Sequence, residues 1–428
     1  KSNRKTMRYK ITAPYQINTS IHLPASKSIS NRALVISAMA HDASGETLIL
    51  PSNLSNCDDT EVIVNALKDM PEIIDIKAAG TAMRFMTAYL SLKAGETHTL
   101  TGTERMQHRP IKILVDGLRK LGANIEYVKE EGYPPLRIRG ERLKGGKLEI
   151  PGNVSSQYIS ALLMVGPMMS DGLRLTLVGD IVSRPYIDLT LCTMRDYGAS
   201  VEWTSIDTIE VKPVPYKSRP YIIENDWSAA SYWYQMMALF SNDNCHVQLN
   251  GLMDGSRQGD SQVKYMFSML GVKTAFDTKE QLVPTIVNLS SHDRTIHRMD
   301  FDFTHQPDLA QTLIATCLAC GLHFHFRGLA SLKIKETDRI MAMKREMQRL
   351  GYIIHDYNDC ELRWDGERCL PEDDAVIRTY DDHRMAMSIA PMSIVHGPLI
   401  IDSPEVVSKS YPHYWHDLAS AGFDISQV

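Results

Sequence analysis

Residues 111–127, IKILVDGLRKLGANIEY, contain the pattern that decides the fold. Apolar residues recur at the spacing of one helix face as far as Leu121, Gly122 follows, and residues 124–127 alternate as in a strand. A glycine suits the left-handed backbone just beyond a helix C-terminus, because it has no Cβ. The stretch therefore predicts a helix that ends at the glycine and leads directly into a strand.

The same helix–glycine–strand pattern returns along the chain. Its glycines are 76, 73, 80 and 71 residues apart, and they are Gly122, Gly198, Gly271, Gly351 and Gly422. A sixth copy, in which Val62–Met70 precedes the strand-like residues 73–76, lacks the glycine. Plain alternation of helices and strands would give a similar pattern. The near-constant length of the unit favours a repeat.

Six copies predict an α/β (α+β) protein built as two similar lobes of three units each. A chain of 428 residues is also too long for one ordinary core. We expect a break between copies around residues 212–219, where Pro213, Pro215 and Pro220 bracket a charged stretch.

Composition narrows the class of protein. Apolar residues make up 43% and charged residues 23% of the chain, as in globular proteins. The net charge of −5 argues against a nucleic-acid binder. The best apolar run, Tyr158–Met169, is too short for a membrane span and contains Gly166 and Pro167. Seven scattered cysteines suit free thiols in a reducing compartment, so we expect a cytoplasmic enzyme.

Several familiar motifs are absent or incomplete. The chain has no Gly-x-Gly-x-x-Gly, and Ala25–Ser28 lacks the glycines of a phosphate-binding P-loop. Cys317-x-x-Cys320 is followed by two histidines, but residues 309–322 have the composition of a buried helix and no second cysteine pair follows. We therefore predict core packing there and no metal site.

What remains is a set of short segments at the unit junctions that are rich in Lys, Arg, Ser and Asp. They are residues 26–32, 79–84, 105–110, 154–158, 183–186, 306–308, 335–339, 381–385 and 408–410. Arginine offers a planar fork to carboxylate and phosphate, lysine a point charge, and hydroxyls complete an anion shell. Gly80-Thr81 precedes an apolar run and could offer bare amides at a helix N-terminus. The pattern predicts a protein that binds small polyanions.

In this order, the segments resemble the enolpyruvyl transferase family, and in particular its members that act on shikimate 3-phosphate. The most specific matches are Leu23–Ala33 and Lys335–Arg339, and matching segments run from Lys27 to Lys409. The resemblance implies two lobes, each of three βαββαβ units. One lobe, residues 26–225, is then inserted into a discontinuous lobe formed by residues 1–25 and 226–428.

The resemblance also implies an activity. The family transfers the enolpyruvyl group of phosphoenolpyruvate to the 5-hydroxyl of shikimate 3-phosphate and releases phosphate through a tetrahedral intermediate. This is a step of the shikimate pathway toward chorismate and the aromatic amino acids. No cofactor or metal is required, a monomer is expected, and glyphosate inhibits the family at the phosphoenolpyruvate site. Gly80 leaves room that an alanine would fill, which favours sensitivity to glyphosate.

Site residues follow from the same resemblance, position by position. Those implied to bind shikimate 3-phosphate are Ser28, Arg32, Ser155, Ser156, Ser183, Tyr186, Asp308 and Lys335. Those implied to bind phosphoenolpyruvate are Lys27, Gly80, Arg109, Gln157, Arg339, Arg384 and Lys409.

The reaction needs two kinds of proton transfer. The 5-hydroxyl loses a proton, and we assign that proton to Asp308, which resembles the family residue that touches this hydroxyl. The donor's methylene carbon gains a proton, for which Glu336 and Lys27 are both candidates. Cations flank Glu336 and favour its ionised form, so its protonation must be coupled to bound anionic substrate.

Four positions depart from the family's usual residues. They are Ala78, Phe85, Ser331 and Asp381, where Asn, Pro, Asn and Asn are usual. Ala78 and Phe85 put the packing around the phosphoenolpyruvate pocket in question. None of the four removes a charged group that the reaction needs.

Two alternatives stay open at this point. The sister transferase that acts on UDP-N-acetylglucosamine usually carries a loop cysteine between the positions of Arg84 and Gln157, and this chain has no cysteine between Cys57 and Cys192. A non-catalytic anion-binding relative would keep arginines and lose acid/base groups, yet all three candidate groups are present.

Overall fold

The computed structural model describes residues 7–428 and divides into two compact units. One contains the described residues as far as Pro24 together with Glu224–Val428, and the other is Ala25–Ile223. The sequence predicted lobe boundaries after residues 25 and 225. The structure divides one residue earlier at the first boundary, after Pro24, and two residues earlier at the second, after Ile223. We propose that these two units are the two lobes implied by the family resemblance.

The helices lie throughout both units. They are α1 Lys27–Ser44, α2 Asp58–Asp69, α3 Gly80–Leu90, α4 Glu104–Gln107, α5 Lys112–Lys120, α6 Ser156–Val165, α7 Arg184–Asp196, α8 Trp227–Phe240, α9 Val263–Met269, α10 Ala310–Ala319, α11 Arg339–Arg349, α12 His383–Ile389, α13 Ser393–His396 and α14 Tyr414–Ser420. Short 3₁₀ turns cover Gly166–Met168, Gly259–Gln262, Pro307–Leu309, Ala330–Ile334, Ala390–Met392 and Pro404–Lys409.

The strands are short. They are β1 Arg8–Thr12, β2 Asn18–His22, β3 Ile73–Asp75, β4 Thr97–Thr101, β5 Asn124–Tyr127, β6 Leu136–Arg139, β7 Gly146–Pro151, β8 Leu173–Val178, β9 Val201–Trp203, β10 Thr208–Val211, β11 His246–Met253, β12 Val272–Phe276, β13 Pro284–Ser291, β14 Arg298–Asp302, β15 His323–Arg327, β16 His355–Tyr357, β17 Glu361–Trp364, β18 Val376–Ile377, β19 Leu399–Asp402 and β20 Asp424–Gln427.

The strands of residues 7–428 form five four-stranded sheets that share one topology. Sheets β3-β4-β6-β5 and β7-β8-β10-β9 belong to the Ala25–Ile223 unit. Sheets β2-β11-β13-β12, β14-β15-β17-β16 and β18-β19-β1-β20 belong to the other. In every sheet the first pair is parallel and the remaining two pairs are antiparallel.

Chain order within a repeat is strand, helix, strand, helix, strand, strand, as in β14-α10-β15-α11-β16-β17. The predicted order βαββαβ is wrong in where the second helix falls. The sequence pattern identified the second helix of each repeat by its glycine and did not locate the first helix relative to the strands. A sixth sheet is also missing from the described part of the Ala25–Ile223 unit, where Ser52 and Ile222 form only an isolated bridge.

The repeat glycines have the predicted conformation. Gly122, Gly198, Gly271, Gly351 and Gly422 all have φ between +89° and +108° and link the second helix of a repeat to its third strand. In the degenerate copy Met70 ends α2 with φ +38°, so a methionine takes the left-handed position that glycine takes elsewhere. The helix–glycine–strand prediction is confirmed.

Each unit has its own apolar core. Buried helix and strand side chains pack together, with Trp227 and Trp233 fully buried in one core and Phe85 in the other. Because the first two strands of each repeat are parallel, both helices begin at the carboxyl edge of the sheet, where α/β proteins bind ligands. The fold therefore presents a row of helix N-termini in each unit.

Candidate active site

In the Ala25–Ile223 unit, most of the predicted site residues lie at the N-terminal ends of α1, α3, α6 and α7, and Arg109 lies between α4 and α5. Hydrogen bonds join these turns in pairs: Gln157 Nε2 donates to Thr81 Oγ1 at 2.9 Å, and Arg32 Nη2 donates to Ser160 Oγ at 3.1 Å and to the Tyr186 carbonyl at 3.4 Å. Four helix N-termini consequently lie side by side. Each contributes free amides and the positive end of its dipole.

Arg32 is the central cation of this group and is 3% exposed. Its Nε donates to Thr190 Oγ1 at 2.7 Å and its Nη1 donates to the Ser28 carbonyl at 2.8 Å. These two acceptors are neutral, and so are its other acceptors, the Ser160 hydroxyl and the Tyr186 carbonyl. Within residues 7–428 no acidic side chain forms an ion pair with Arg32.

Burial without a counter-ion has an electrostatic consequence. Desolvation lowers the pKa of Arg32 to about 10, so keeping the buried guanidinium charged costs free energy. Its face lies 5.4 Å from the centre of the Phe85 ring. Phe85, which departs from the family's usual residue, is fully buried and packs on the cation predicted to bind shikimate 3-phosphate.

A second group forms around the start of α3. The Arg109 guanidinium lies against Gly80, where an added Cβ would collide with Arg109 Nη1 and come within 3.0 Å of Arg84 Nη1. Arg84 Nη1 donates to the Gly80 carbonyl at 2.9 Å, and its guanidinium lies 5.6 Å from the centre of the Tyr158 ring. The structure thus brings Gly80 and Arg109 together, and the bond from Gln157 to Thr81 adds the third predicted residue.

Two of the predicted serines are helix N-caps. Ser155 is the N-cap of α6, where its Oγ accepts from the Gln157 amide at 3.3 Å, and Ser156 is the first residue of that helix. Ser183 is the N-cap of α7, is 7% exposed and has the left-handed φ of +53°. A non-glycine residue in this region is strained and usually held for a purpose.

Lys27 begins α1, and its partner was not anticipated from the sequence. Its Nζ lies 3.1 Å from Asp59 Oδ2 in the first turn of α2, with the side chains 20% and 13% exposed. The carboxylate orients the ammonium and neutralises part of its charge.

In the unit that contains Glu224–Val428, the predicted residues gather around Arg339, which is 2% exposed. Arg339 Nε donates to Asp382 Oδ2 at 2.7 Å, Nη1 to Asp308 Oδ1 at 3.1 Å and Nη2 to Glu336 Oε2 at 2.8 Å. Burial would lower the pKa of Arg339, but the carboxylates of Asp382, Glu336 and Asp308 raise it above its ordinary value. One guanidinium therefore orders both predicted acid/base carboxylates.

Asp308 is held by three cations. Besides Arg339, Arg384 Nη2 lies 3.3 Å from its Oδ2 and Lys335 Nζ lies 3.8 Å from its Oδ1. Its side chain remains 19% exposed. Cations therefore contact both carboxylate oxygens, and the side chain is open to solvent on one side.

Arg384 follows the N-cap of α12. That cap, Asp382, accepts the Arg384 amide at 2.9 Å and is fully buried. Arg384 Nη1 donates to the Tyr232 hydroxyl at 3.2 Å, and Nη2 donates to Ser228 Oγ at 3.3 Å. Burial raises the pKa of Tyr232 to about 12, so its hydroxyl keeps its proton.

Lys409 lies at the end of the 404–409 turn, where its Nζ donates to the Asp381 carbonyl at 3.2 Å. Tyr380 and Asp381 both have left-handed φ, +54° and +55°. This strained turn leads directly into Asp382 and α12, so it sets the position of the Arg384 segment.

Several residues of these groups were missed from the sequence. Asp59, Ser160, Thr190, Tyr232, Ser228 and Asp260 have no role in the predicted site. Asp382 was part of a cationic segment, but its place beside Arg339 was not predicted. Thr190 and Ser160 carried a signal, because they follow the predicted Tyr186 and Ser156 by one helical turn.

Other features give no sign of an additional centre. Cys317 lies buried on α10, as the helix prediction required, and Cys320 follows the end of that helix. Across residues 7–428, no three His, Cys, Asp or Glu side chains are grouped as metal ligands would be. Nor is any helix in that range long and apolar enough to cross a membrane.

Comparison with solved structures places the fold among the enolpyruvyl transferases. An EPSP synthase from Acinetobacter baumannii superposes with a TM-score of 0.79 at 21% identity, covering 99% of this chain and 100% of that one. The enolpyruvyl transferase NikO from Streptomyces tendae superposes with a TM-score of 0.71 at 15% identity, covering 99% of both chains. The predicted fold class is confirmed.

Sequence comparison identifies the family. A profile described as EPSP synthase (3-phosphoshikimate 1-carboxyvinyltransferase) matches residues 69–418. The 3-phosphoshikimate 1-carboxyvinyltransferase of Bacteroides fragilis is 56% identical over 419 residues, covering 98% of this chain and 99% of that protein. The Mannheimia haemolytica protein of the same name is 34% identical, covering 95% and 98%. The chain belongs to the EPSP synthase family, which confirms the predicted family and its class of enzyme, a transferase.

Proposed function

We propose that this protein transfers the enolpyruvyl group of phosphoenolpyruvate to the 5-hydroxyl of shikimate 3-phosphate, with Asp308 and Glu336 as its acid/base groups. One observation carries the assignment: both carboxylates bind the same buried guanidinium, Arg339, at 3.1 and 2.8 Å. Two carboxylates fixed on one rigid group can serve two different proton transfers in a single site.

In the proposed first step, the 5-hydroxyl oxygen bonds to C2 of phosphoenolpyruvate as the C2–C3 double bond opens to a single bond. Asp308 takes the hydroxyl proton, and the methylene carbon C3 gains a proton from Glu336 or Lys27. In the second step C3 returns its proton to the group that supplied it and the C2–C3 double bond re-forms. The bond from C2 to the phosphate oxygen breaks, and the leaving phosphate takes the proton held by Asp308. Atoms and charge balance without a cofactor.

Substrate anions also supply a way to activate the base. Three cations contact the carboxylate oxygens of Asp308 in the structure. A bound phosphate and carboxylate compete for Arg384 and Lys335 and loosen their hold on Asp308. The carboxylate would then become available to the acceptor's hydroxyl when substrates are present.

For binding, we propose the assignments made from the sequence. Arg32, with neutral partners only, is the principal cation for the acceptor's phosphate, supported by Ser28, Ser155, Ser156, Ser183, Tyr186 and Lys335. Arg109, Gly80, Gln157, Lys27, Arg339, Arg384 and Lys409 would bind phosphoenolpyruvate. A planar guanidinium in a dry pocket is the strongest protein ligand for these anions.

We also propose that the protein acts as a monomer in the cytoplasm. Its seven cysteines are all unpaired, which suits a reducing compartment. Sedimentation analysis should give a species near the chain mass of 48.2 kDa. A dimer at micromolar concentration would contradict the monomer.

Phosphate release separates the alternatives. The enzyme is incubated with phosphoenolpyruvate and shikimate 3-phosphate, with phosphoenolpyruvate and UDP-N-acetylglucosamine, or with phosphoenolpyruvate alone. We expect release in the first reaction only. Release with the nucleotide sugar would assign the sister activity, and no release in any reaction would indicate an anion-binding relative.

A further inference from the structure

We infer that Asp260 is a positioning residue for the donor: it acts on Arg384 through Ser228, and phosphoenolpyruvate binds tightly only while Asp260 carries a proton. The inference rests on the proposed function, because it assigns Arg384 to that substrate. It adds a residue outside the predicted site, in the 259–262 turn.

The geometry of Asp260 is unusual for a carboxyl group. The residue is 5% exposed, its Oδ2 accepts a hydrogen bond from the Ser228 hydroxyl, and its buried Oδ1 has no hydrogen-bond partner. An ionised carboxylate with a bare buried oxygen is costly, whereas the neutral acid is tolerated. The surroundings therefore favour the protonated form.

Ser228 connects this carboxyl group to the donor site. It lies in the first turn of α8, donates its hydroxyl to Asp260 and accepts from Arg384 Nη2 at 3.3 Å. Arg384 Nη2 also contacts Asp308 Oδ2 at 3.3 Å. The charge of Asp260 thus acts on the same guanidinium that is proposed to bind phosphoenolpyruvate.

Charged groups face Asp260 from three elements. Asp308 from the 307–309 turn and Asp226 at the N-cap of α8 oppose its ionisation, and Arg384 from α12 favours it. On the adjoining α9, Lys264 pairs instead with Asp254 at 3.3 Å. Burial, followed by the charge of Asp308, raises the pKa of Asp260 to about 7.

Loss of the Asp260 proton changes the balance of charge around Arg384. Lys335, Arg339 and Arg384 balance the carboxylates of Asp308, Glu336 and Asp382. An ionised Asp260 adds a fourth carboxylate and weakens the attraction for an anionic substrate. Because Asp260 loses its proton as pH rises through its pKa, affinity for phosphoenolpyruvate falls over the same range.

The test compares the pH dependence of KM in two enzymes. KM for phosphoenolpyruvate is measured from pH 6 to pH 8 at saturating shikimate 3-phosphate, for the wild type and for Asp260→Asn, which stays neutral and keeps an acceptor for Ser228. The ratio of wild-type to variant KM should rise about tenfold from pH 6 to pH 8, as expected for a required proton with a pKa near 7. Ionisation of the substrate's own phosphate affects both enzymes equally and cancels in the ratio.

A second variant, Asp226→Asn, removes a neighbouring carboxylate that opposes the ionisation of Asp260 and keeps a good N-cap. Its KM for phosphoenolpyruvate should begin to rise at a lower pH than that of the wild type. A ratio that stays constant across pH would reduce Asp260 to a packing role and overturn the inference. If Asp260→Asn does not fold, the wild type alone provides the test. A wild-type KM that does not change with pH, after correction for ionisation of the substrate phosphate, would also overturn the inference. Wild-type turnover at pH 6 tests the proposed function separately.

Discussion

Two buried arginines, one in each unit, have opposite surroundings. Arg32 donates only to hydroxyls and backbone carbonyls, and burial lowers its pKa to about 10. Arg339 binds three carboxylates, which raise its pKa despite its burial. A compensated cation stabilises the fold and orders its partners, whereas an uncompensated one is retained at a cost and is ready for a substrate anion.

The largest expected effect lies in the compensated cluster. Glu336→Gln should lower turnover by about 10²- to 10⁴-fold, because a carboxamide cannot cycle a proton. Its remaining oxygen can still accept from Arg339, so the unfolding midpoint should change little. Steady-state kinetics and urea unfolding measure both.

Glu361→Gln is a suitable control, since Glu361 contacts His325 on a neighbouring strand of the same unit at 2.7 Å. It should turn over at the wild-type rate. Normal turnover in Glu336→Gln would leave Lys27 as the remaining candidate donor for the methylene carbon.

A pair of substitutions tests the comparison itself. Arg339→Met leaves three carboxylates without their common partner and should lower the free energy of unfolding by about 3–5 kcal/mol. Arg32→Met removes a cation that has no counter-ion, and should change that free energy by no more than about 1 kcal/mol. Urea denaturation of both variants beside the wild type gives the two values.

Arg32→Met should nevertheless lose affinity for shikimate 3-phosphate by about 10²-fold or more, because charge-assisted bonds to phosphate are lost. Titration calorimetry measures this loss. Equal destabilisation by the two substitutions, or unchanged acceptor affinity in Arg32→Met, would remove the distinction between the two arginines.

Gly80→Ala should have a smaller effect. The new methyl group displaces the Arg109 guanidinium, a flexible side-chain end, so KM for phosphoenolpyruvate should rise about tenfold while acceptor affinity is kept. Competitive inhibition by glyphosate should weaken in the same variant. In an Arg109→Lys background the alanine should add much less, because it acts through Arg109. Full additivity of the two substitutions would contradict this explanation.

Much of the fold could be predicted from the sequence because its unit repeats. Five glycines mark the same helix end, and a left-handed residue there is a local requirement that one position reveals. The predicted position of the second helix among the strands was wrong, because the glycine marks where that helix ends and does not report how many strands precede it. The reduced pairing at Ser52 and Ile222 depends on contacts between distant segments, which periodicity does not report.

The site divided along similar lines. The cationic segments were recognisable because they lie at junctions, and within each unit many of the predicted residues do lie together. The residues that contact these cations could not be predicted from the sequence. Asp59 contacts Lys27, and Ser228 and Asp260 lie behind Arg384, but no local sequence pattern distinguishes them from other polar residues. The sequence analysis questioned how Phe85 would pack around the phosphoenolpyruvate pocket. In the structure its ring packs on Arg32, which is predicted to bind shikimate 3-phosphate.

Asp308→Asn tests the central claim, that a carboxylate held by three cations removes the acceptor's proton. Turnover and calorimetric binding of shikimate 3-phosphate are measured on the same preparation. We expect turnover to fall by about 10²- to 10⁴-fold while binding stays within a few-fold of the wild type, because the amide keeps its shape but cannot accept the proton. Near-normal turnover would contradict the account and transfer the role of base to Lys27, Glu336 or the substrate phosphate.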